Sequence, residues 1–459
     1  MRRRSFLIQS ALSAGWVALP TLFEFGCKEK RMDKEFKFKG HVNIVGAGMA
    51  GLYAAKLLTQ HKISHTVFEA SAQVGGRIKS LNGFETYPIE LGAEEIHGEN
   101  SIWFDSLSQL GAKLIDPDQQ DYLSISGELV PEYLWDQDSR IKPGIEVLNE
   151  LETGSILSDN SLSDWWQARL PQDQRQSQTL VYARSCNDFG TSADRISVKA
   201  INYENREWRS GDNNLILSSG SFTDYLEKLF PEIIPKVKVL TPITRINYGS
   251  EYTEVIDAKG VVYPAEKTIV TVPLSILKQG IIQFDPPLPT EKINQFNSFG
   301  MDTGIKMFLR FSKTWWPEDM GSIILEDSLP EIWATSQGKE AVLNRTLTVF
   351  VMGAGAEILS QLEPQAAINR VLGRLEYYLG VGLAQDLQKW HIQDWSKEPW
   401  IQGAYSYAKA GAQANRKVLR QPVNQQIYFA GEAMNDVHYA TVQGAMESAQ
   451  RAVWEIGTS

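Results

Sequence analysis

Eleven residues near the start of the chain, Val42-Asn-Ile-Val-Gly46-Ala-Gly48-Met-Ala-Gly51-Leu, restrict it to a small group of folds. The run from His41 to Val45 is apolar and β-branched and reads as a buried strand. From Met49 to Gln60 the apolar residues recur at helical spacing. Between them stand three glycines with distinct tasks. Gly46 permits the tight turn, Gly48 lets the backbone approach a pyrophosphate, and Gly51 lets helix and strand pack closely. A diphosphate would sit on the helix N-terminus, where open N–H groups and the dipole favour an anion. A second strand-like run at 65–69 ends in Glu69, 18 residues beyond Gly51, placed to accept a hydrogen bond from a ribose hydroxyl. The G-x-G of Gly353-Ala-Gly355 has no third glycine and reads as strand-to-helix punctuation.

A chain of 459 residues exceeds one core, and two domains are expected. Its net charge of −10 argues against a nucleic-acid partner and gives a weak attraction for cationic ligands. The two cysteines, Cys27 and Cys186, suggest neither a disulfide framework nor a metal site, and no metal is expected. The first thirty residues read as a leader. Arg2-Arg3-Arg4-Ser5-Phe6-Leu7 opens an apolar stretch to Pro20, too short to span a bilayer as a mature helix. Arg3-Arg4-x-Phe6-Leu7 resembles the twin-arginine export signal, which implies a periplasmic or cell-envelope location; an ordinary secretory leader is the alternative. Membrane contact is expected only if Cys27 is lipidated, and Glu24 and Phe25 depart from the small and aliphatic residues usual before such a cysteine. Residues 28–40 read as a charged tether.

Strand-like runs return at 236–239, 268–272 and 426–430, separated by a Trp-rich, helix-patterned middle around Trp165-Trp166 and again at 364–378. The expected fold is α/β: a discontinuous nucleotide-binding domain from 40–98, 211–289 and 398–459, interleaved with an α+β substrate-binding domain from 99–210 and 290–397, after an export signal and tether at 1–32.

Further motifs lie in order along the chain. They are Glu69-Ala-Ser-Ala-Gln-Val-Gly75-Gly76-Arg77, Glu90-Leu-Gly92-Ala93-Glu94-Glu95-Ile96-His97-Gly98, and Thr271-Val-Pro273-Leu-Ser-Ile-Leu277 with Asp285-Pro-Pro-Leu-Pro289. Gly304-Ile-Lys306 precedes an apolar strand and Trp315-Trp316-Pro317. Trp395-Ser-Lys-Glu-Pro399-Trp400-Ile-Gln-Gly403-Ala-Tyr405-Ser-Tyr407 leads to Tyr428-Phe-Ala-Gly431-Glu432 and Tyr439-Ala-Thr441-Val442-Gln-Gly444. With the glycine turn, this series resembles the flavin-containing amine oxidase family: monoamine and polyamine oxidases, L-amino-acid oxidases and flavin-dependent histone demethylases.

The resemblance implies a Rossmann-like domain holding FAD through Gly46, Gly48, Gly51, Glu69 and Arg77. Gly92 and Ala93 would approach the flavin ring, Ile243 would flank the adenine, Glu432 would bond the ribityl or diphosphate region, and Thr441 and Val442 would lie beside the isoalloxazine. Gly444 is read as opening a helix whose dipole favours reduced flavin. The family's covalent members use a cysteine in the segment matching 395–407; none occurs here, so noncovalent FAD is expected. Monoamine oxidases place paired tyrosines before the flavin, and the matching positions here are Tyr405 and Thr441.

The resemblance implies hydride transfer from the carbon beside an amine nitrogen to flavin N5, with dioxygen then reduced to hydrogen peroxide. A free alkylamine of pKa about 10.4 is neutral only about once in 10³ at pH 7, a cost of roughly 4 kcal/mol. Cation–π contacts favour the unreactive ammonium by about 0.5–2 kcal/mol, whereas desolvation shifts an amine by several units the other way. Desolvation is therefore expected to win, with Tyr405 and Trp400 as oriented walls. Lys306 interrupts the apolar run Gly304–Phe311 and by resemblance holds a water near flavin N5. His97 matches a substrate-facing position of polyamine oxidases, with Glu94, Glu95 and Glu99 adding charge suited to a second amine; a solvated loop is the competing reading. Trp165, Trp166, Trp315 and Trp316 read as core. A primary amine or polyamine is the expected substrate. An L-amino-acid oxidase would need a carboxylate clamp from Arg184, Arg206 or Arg209. A CH–CH desaturase or porphyrinogen-type oxidase and a non-catalytic flavin-binding module are the remaining alternatives, and a homodimer is compatible with all of them.

Overall fold

A computed structural model describes residues 36–117, 119–326, 329–339 and 343–458. The leader, Cys27 and most of the tether lie outside the described residues. The end of that tether is not free: Phe36 is buried, stacks on His61 with ring centroids 3.8 Å apart, and Lys37 N–H donates to Gly457 O. One aromatic ring therefore overrides the charged pattern around it and docks residues 36–40 on the final helix.

The glycine turn folds as the sequence dictates, from strand His41–Val45 into helix Met49–Gln60. Four parallel strands make one sheet in the order Ser64–Phe68, His41–Val45, Lys267–Val270, Ile427–Phe429. Its strands are drawn from both ends and the middle of the chain. The 236–239 run is not a strand. A short 3₁₀ turn, Ile234–Lys236, takes its first residue, and only Lys238 bridges to Phe68. Pro235 fixes φ and lacks an N–H, which favours the turn over a ladder. Helices Met49–Gln60 and Val442–Thr458 share one apolar core on this sheet, through Leu52, Ala55, Met446 and Val453.

A seven-stranded sheet forms the other large layer: Leu387–Asp394, Gly304–Phe311, Thr346–Met352, Glu331–Ala334, Met320–Ile324, Gln120–Ile125 and Glu128–Pro131. Period-two alternation splits its faces. Ile305, Met307, Leu309, Ile332, Val349 and Val351 turn to a core capped by helix Pro364–Leu379. Lys306, Trp333, Phe350 and Met352 turn the other way. The strand Thr346–Met352 runs into helix Gly353–Ser360, with Gly353 at φ +61°, so the second G-x-G is the expected punctuation. Trp165, Trp166 and Trp316 are buried core residues, and Trp315 packs beside Trp316's core.

The helix packs tightly on the glycine turn at Gly51, where an added Cβ would lie 1.9 Å from Gly46 O. Gly51→Ala is expected to cost about 3 kcal/mol, since backbone must move to admit it. Thermal unfolding of the flavin-loaded variant measures this, and an unchanged Tm contradicts the packing role.

Candidate active site

Every strand of the parallel sheet delivers its carboxyl end to one cavity of about 860 Å³. Val45 and Gly46, Phe68 and Glu69, Thr271 to Pro273, and Gly431 with Glu432 all line it. Open α/β sheets bind ligands at this edge, and small-molecule sites span about 300–1,000 Å³.

One end is a cradle for a nucleotide. Gly48 is the N-cap of helix Met49–Gln60 with no side-chain cap, and an added Cβ there would meet nothing within 4 Å. The helix therefore presents uncapped N–H groups to the cavity, the arrangement that takes a phosphate. Gly75 and Gly76 hold φ of +106° and +61° opposite it, and Arg77 follows them on the wall. Glu69 accepts from Ala47 N at 2.8 Å, from Ser71 N at 2.8 Å and from Ser71 Oγ at 2.9 Å. A carboxylate has about four acceptor sites, so capacity for a ribose hydroxyl remains. Ile243 opens strand Ile243–Asn247 and lines the same end.

Glu432 joins three segments. Its carboxylate accepts from Arg77 Nη1 at 3.1 Å, Ser406 Oγ at 2.7 Å and Ala440 N at 2.9 Å. Burial alone would push this carboxyl up, but the charges of Arg77 and Arg416 and the hydrogen bonds outweigh it and hold it below the usual range. Thr441 is the cap of the last helix: its hydroxyl donates to His438 O at 2.6 Å and accepts from Gly444 N at 3.0 Å. That helix opens at Val442, not at Gly444. Gly444 lies inside the first turn, where a Cβ would fall 1.8 Å from His438 O and only glycine fits. Gly92, Ala93, Thr441 and Val442 all face the cavity.

The other end is aromatic. Lys306 is 6% exposed, so it does not reach solvent along a strand edge. Its ammonium donates to Glu94 Oε2 at 2.7 Å and Gly92 O at 3.0 Å. Trp400, Tyr405 and Thr441 line the cavity beside it, and Tyr405 Oη donates to Asp188 O at 2.8 Å. Two further walls, Trp333 and Phe350, stand with ring centroids 5.4 Å apart. His97 lines the cavity, with Nδ1 3.0 Å from Asn214 Oδ1 and 3.7 Å from Glu95 Oε2. Glu94 and Glu95 line it too, whereas Glu99 turns away to accept from Asn213 N. Sequence reasoning did not single out Trp333, Phe350 or Asp188. No local signal marked the two rings: Glu331–Ala334 and Thr346–Met352 are buried on both faces, and only their pairing turns Trp333 and Phe350 away from the core of Ile332, Val349 and Val351.

None of the three arginines that an L-amino-acid oxidase could use as a carboxylate clamp lines the cavity. Arg184 is buried against Asp121 at 2.7 Å and Glu331 at 3.4 Å, and Arg206 and Arg209 are exposed. Among the described residues lining the cavity, Arg77 is the one arginine, and its guanidinium is held by Ala404 O at 2.7 Å and Glu432 Oε1 at 3.1 Å.

The profile of the flavin containing amine oxidoreductases matches residues 49–457. The chain belongs to this family. It is 25% identical over 457 residues to lysine-specific histone demethylase 2 of Homo sapiens, covering 94% of this chain and 55% of that protein. It is 24% identical to polyamine oxidase 4 of Oryza sativa subsp. japonica, covering 96% and 91%. The chain thus spans about half the length of the demethylase it matches. Among solved structures, a cofactor-binding redesign of putrescine oxidase superposes with a TM-score of 0.79 at 20% identity, covering 91% of this chain and 99% of that one. Cyclohexylamine oxidase from Brevibacterium oxydans IH-35A gives 0.79 at 19%, covering 92% and 99%. These likenesses show a shared fold. Family membership makes the cofactor a flavin, and the cradle at Gly48, Glu69 and Arg77 fits FAD.

Glu432's depressed carboxyl makes a signed prediction. A lowered folded pKa stabilises above the unfolded value and loses that contribution as pH falls through the folded one. As pH falls below the ordinary carboxylate range, the Arg77–Glu432–Ser406 tie is expected to weaken and flavin to leave. Flavin should appear in the supernatant after acid precipitation; flavin retained by the denatured chain contradicts noncovalent binding.

Proposed function

We propose that the chain is an FAD-dependent oxidase of a primary amine or polyamine. The observation that carries this reading is Lys306: a buried ammonium 5.5 Å from the centroid of the Trp333 ring, on the same cavity as the nucleotide cradle, Phe350, Tyr405 and Trp400. Bound FAD supplies a two-electron acceptor for hydride from the carbon beside the amine nitrogen, leaving an imine that water cleaves to a carbonyl compound and an amine or ammonia. The chain's own residues do the rest. The aromatic walls exclude water and favour the neutral amine by desolvation. Tyr405, fixed by Asp188 O, and Trp400 orient the reacting carbon. Lys306 offers positive charge where dioxygen takes up two electrons and two protons to become hydrogen peroxide.

Among the described residues lining the cavity the one arginine, Arg77, is engaged by Ala404 O and Glu432, which supports amines over L-amino acids. Export to the cell envelope is part of the same proposal and rests on Arg3-Arg4-x-Phe6-Leu7. Its test is whether a reporter fused after residue 40 is exported only when both arginines are intact.

Two measurements test the activity. Anaerobic mixing with monoamines, polyamines and L-amino acids should bleach the oxidised flavin band with amines alone; bleaching by amino acids only would refute the substrate class. Lys306→Met should slow reoxidation by dioxygen at least tenfold while leaving flavin reduction by amine within about threefold. Equal losses in both steps remove the role given to Lys306.

A further inference from the structure

The oxygens around Lys306 constrain what that lysine can do. An ammonium carries three N–H donors. Here they meet Glu94 Oε2 at 2.7 Å, Gly92 O at 3.0 Å and Glu90 O at 3.4 Å. All three acceptors come from one five-residue segment, 90–94. That segment is held rigidly. Leu91 N–H donates to Lys79 O at 2.9 Å, Trp395 Nε1 donates to Leu91 O at 3.1 Å, and a Cβ at Gly92 would lie 1.9 Å from Arg77 O. On the other side, strand register fixes Lys306 between Phe350 and Gln393. The ammonium is therefore caged by the chain, and its nearest countercharge is a carboxylate with side-chain exposure of 22%.

A carboxylate this close cancels much of the lysine's field at any point farther away, because the pair acts as a dipole rather than as a charge. It also occupies a donor that would otherwise point to a water. We propose that Glu94 is a positioning residue that restrains Lys306, lowering the reduction potential of the bound flavin and slowing its reaction with dioxygen. The inference rests on the functional reading above. It differs from that reading in sign: the partner of the cavity's lysine acts as a brake.

The test uses the flavin-loaded full chain and variants at Glu94. Bound flavin is reduced by light, with no amine present, and its midpoint potential and reoxidation by dioxygen are measured. Glu94→Gln keeps a hydrogen-bond acceptor and removes the charge. It is expected to shift the oxidised–reduced equilibrium about tenfold towards reduced flavin, about 30 mV for a two-electron couple, and to raise the reoxidation rate by a similar factor. Both gains should vanish when Lys306→Met is added, because the effect runs through the lysine. A purely structural role for Glu94 would lower flavin content or Tm without raising either quantity, and that outcome overturns the proposal. Should Glu94→Gln not retain flavin, Glu94→Asp supplies the reading: drawing the carboxylate back by one methylene should raise both quantities two- to threefold, and no rise overturns the proposal. Photoreduction needs no substrate, so failure here is separable from failure to find an amine. Wild-type chain that binds no flavin would overturn the functional reading and this inference together.

Discussion

The level carboxyl edge of the four-stranded parallel sheet is the constraint on which the rest depends. Strand register sets Val45 beside both Phe68 and Val270, and Val270 beside Phe429, so four strands from distant parts of the chain end on one line. The ladder continues one step past that line, through Gly46 N to Phe68 O at 2.8 Å, Thr271 N to Val45 O at 2.9 Å and Ala430 N to Val270 O at 3.0 Å. Each strand then releases its chain into a loop that must line the cavity: the glycine turn, the 69–77 loop, Thr271 to Pro273, and Gly431 to Thr441. A slip of one residue in any pairing would turn its whole set of side chains over and lift its loop out of line.

The second sheet supplies chemistry by the same alternation that supplies its core. In Gly304–Phe311, odd-numbered residues bury in the Pro364–Leu379 core while Lys306 faces the other way. Neighbouring strands repeat the pattern with Trp333 and Phe350, so one pleat places a cation and two aromatic rings together. A lysine in such a position is stable only if its charge is answered. The 90–94 segment answers it, and thereby joins the seven-stranded sheet to the loop beside the nucleotide cradle.

The nucleotide half was legible in the sequence because its signals are local. Gly46, Gly48 and Gly51 act through φ, close approach and the start of one helix, all within a few residues. The aromatic half was legible only in part. Lys306, Trp400 and Tyr405 stood out as residues or motifs, but Trp333 and Phe350 sit in strands that read as ordinary apolar runs until pairing fixes their face. Glu94 was readable as nearby charge and not as the partner of Lys306, since 212 positions separate them. The misread strand at 236–239 and the misread helix start at Gly444 share a cause. In each, a local element, Pro235 and the Thr441 cap, decided a boundary that apolar pattern and glycine alone do not encode.

Charge in the cavity resolves an apparent conflict in handling amines. An amine arrives in water as an ammonium and is attracted by carboxylates, yet it must react as the free base. The structure separates the two demands in space. Glu94, Glu95 and Asp188 put acidic side chains on the lining. The Trp333–Phe350 wall, with both rings less than a tenth exposed, offers an ammonium little solvation. The lysine in this region would repel a second cation if its charge stood alone. Paired at 2.7 Å with Glu94, it does so far less. On the proposed reading, the carboxylate that weakens Lys306 toward dioxygen would also ease entry of the amine. On that reading Glu94 trades reoxidation against capture of the cationic amine, and loss of its charge should speed the first while weakening the second.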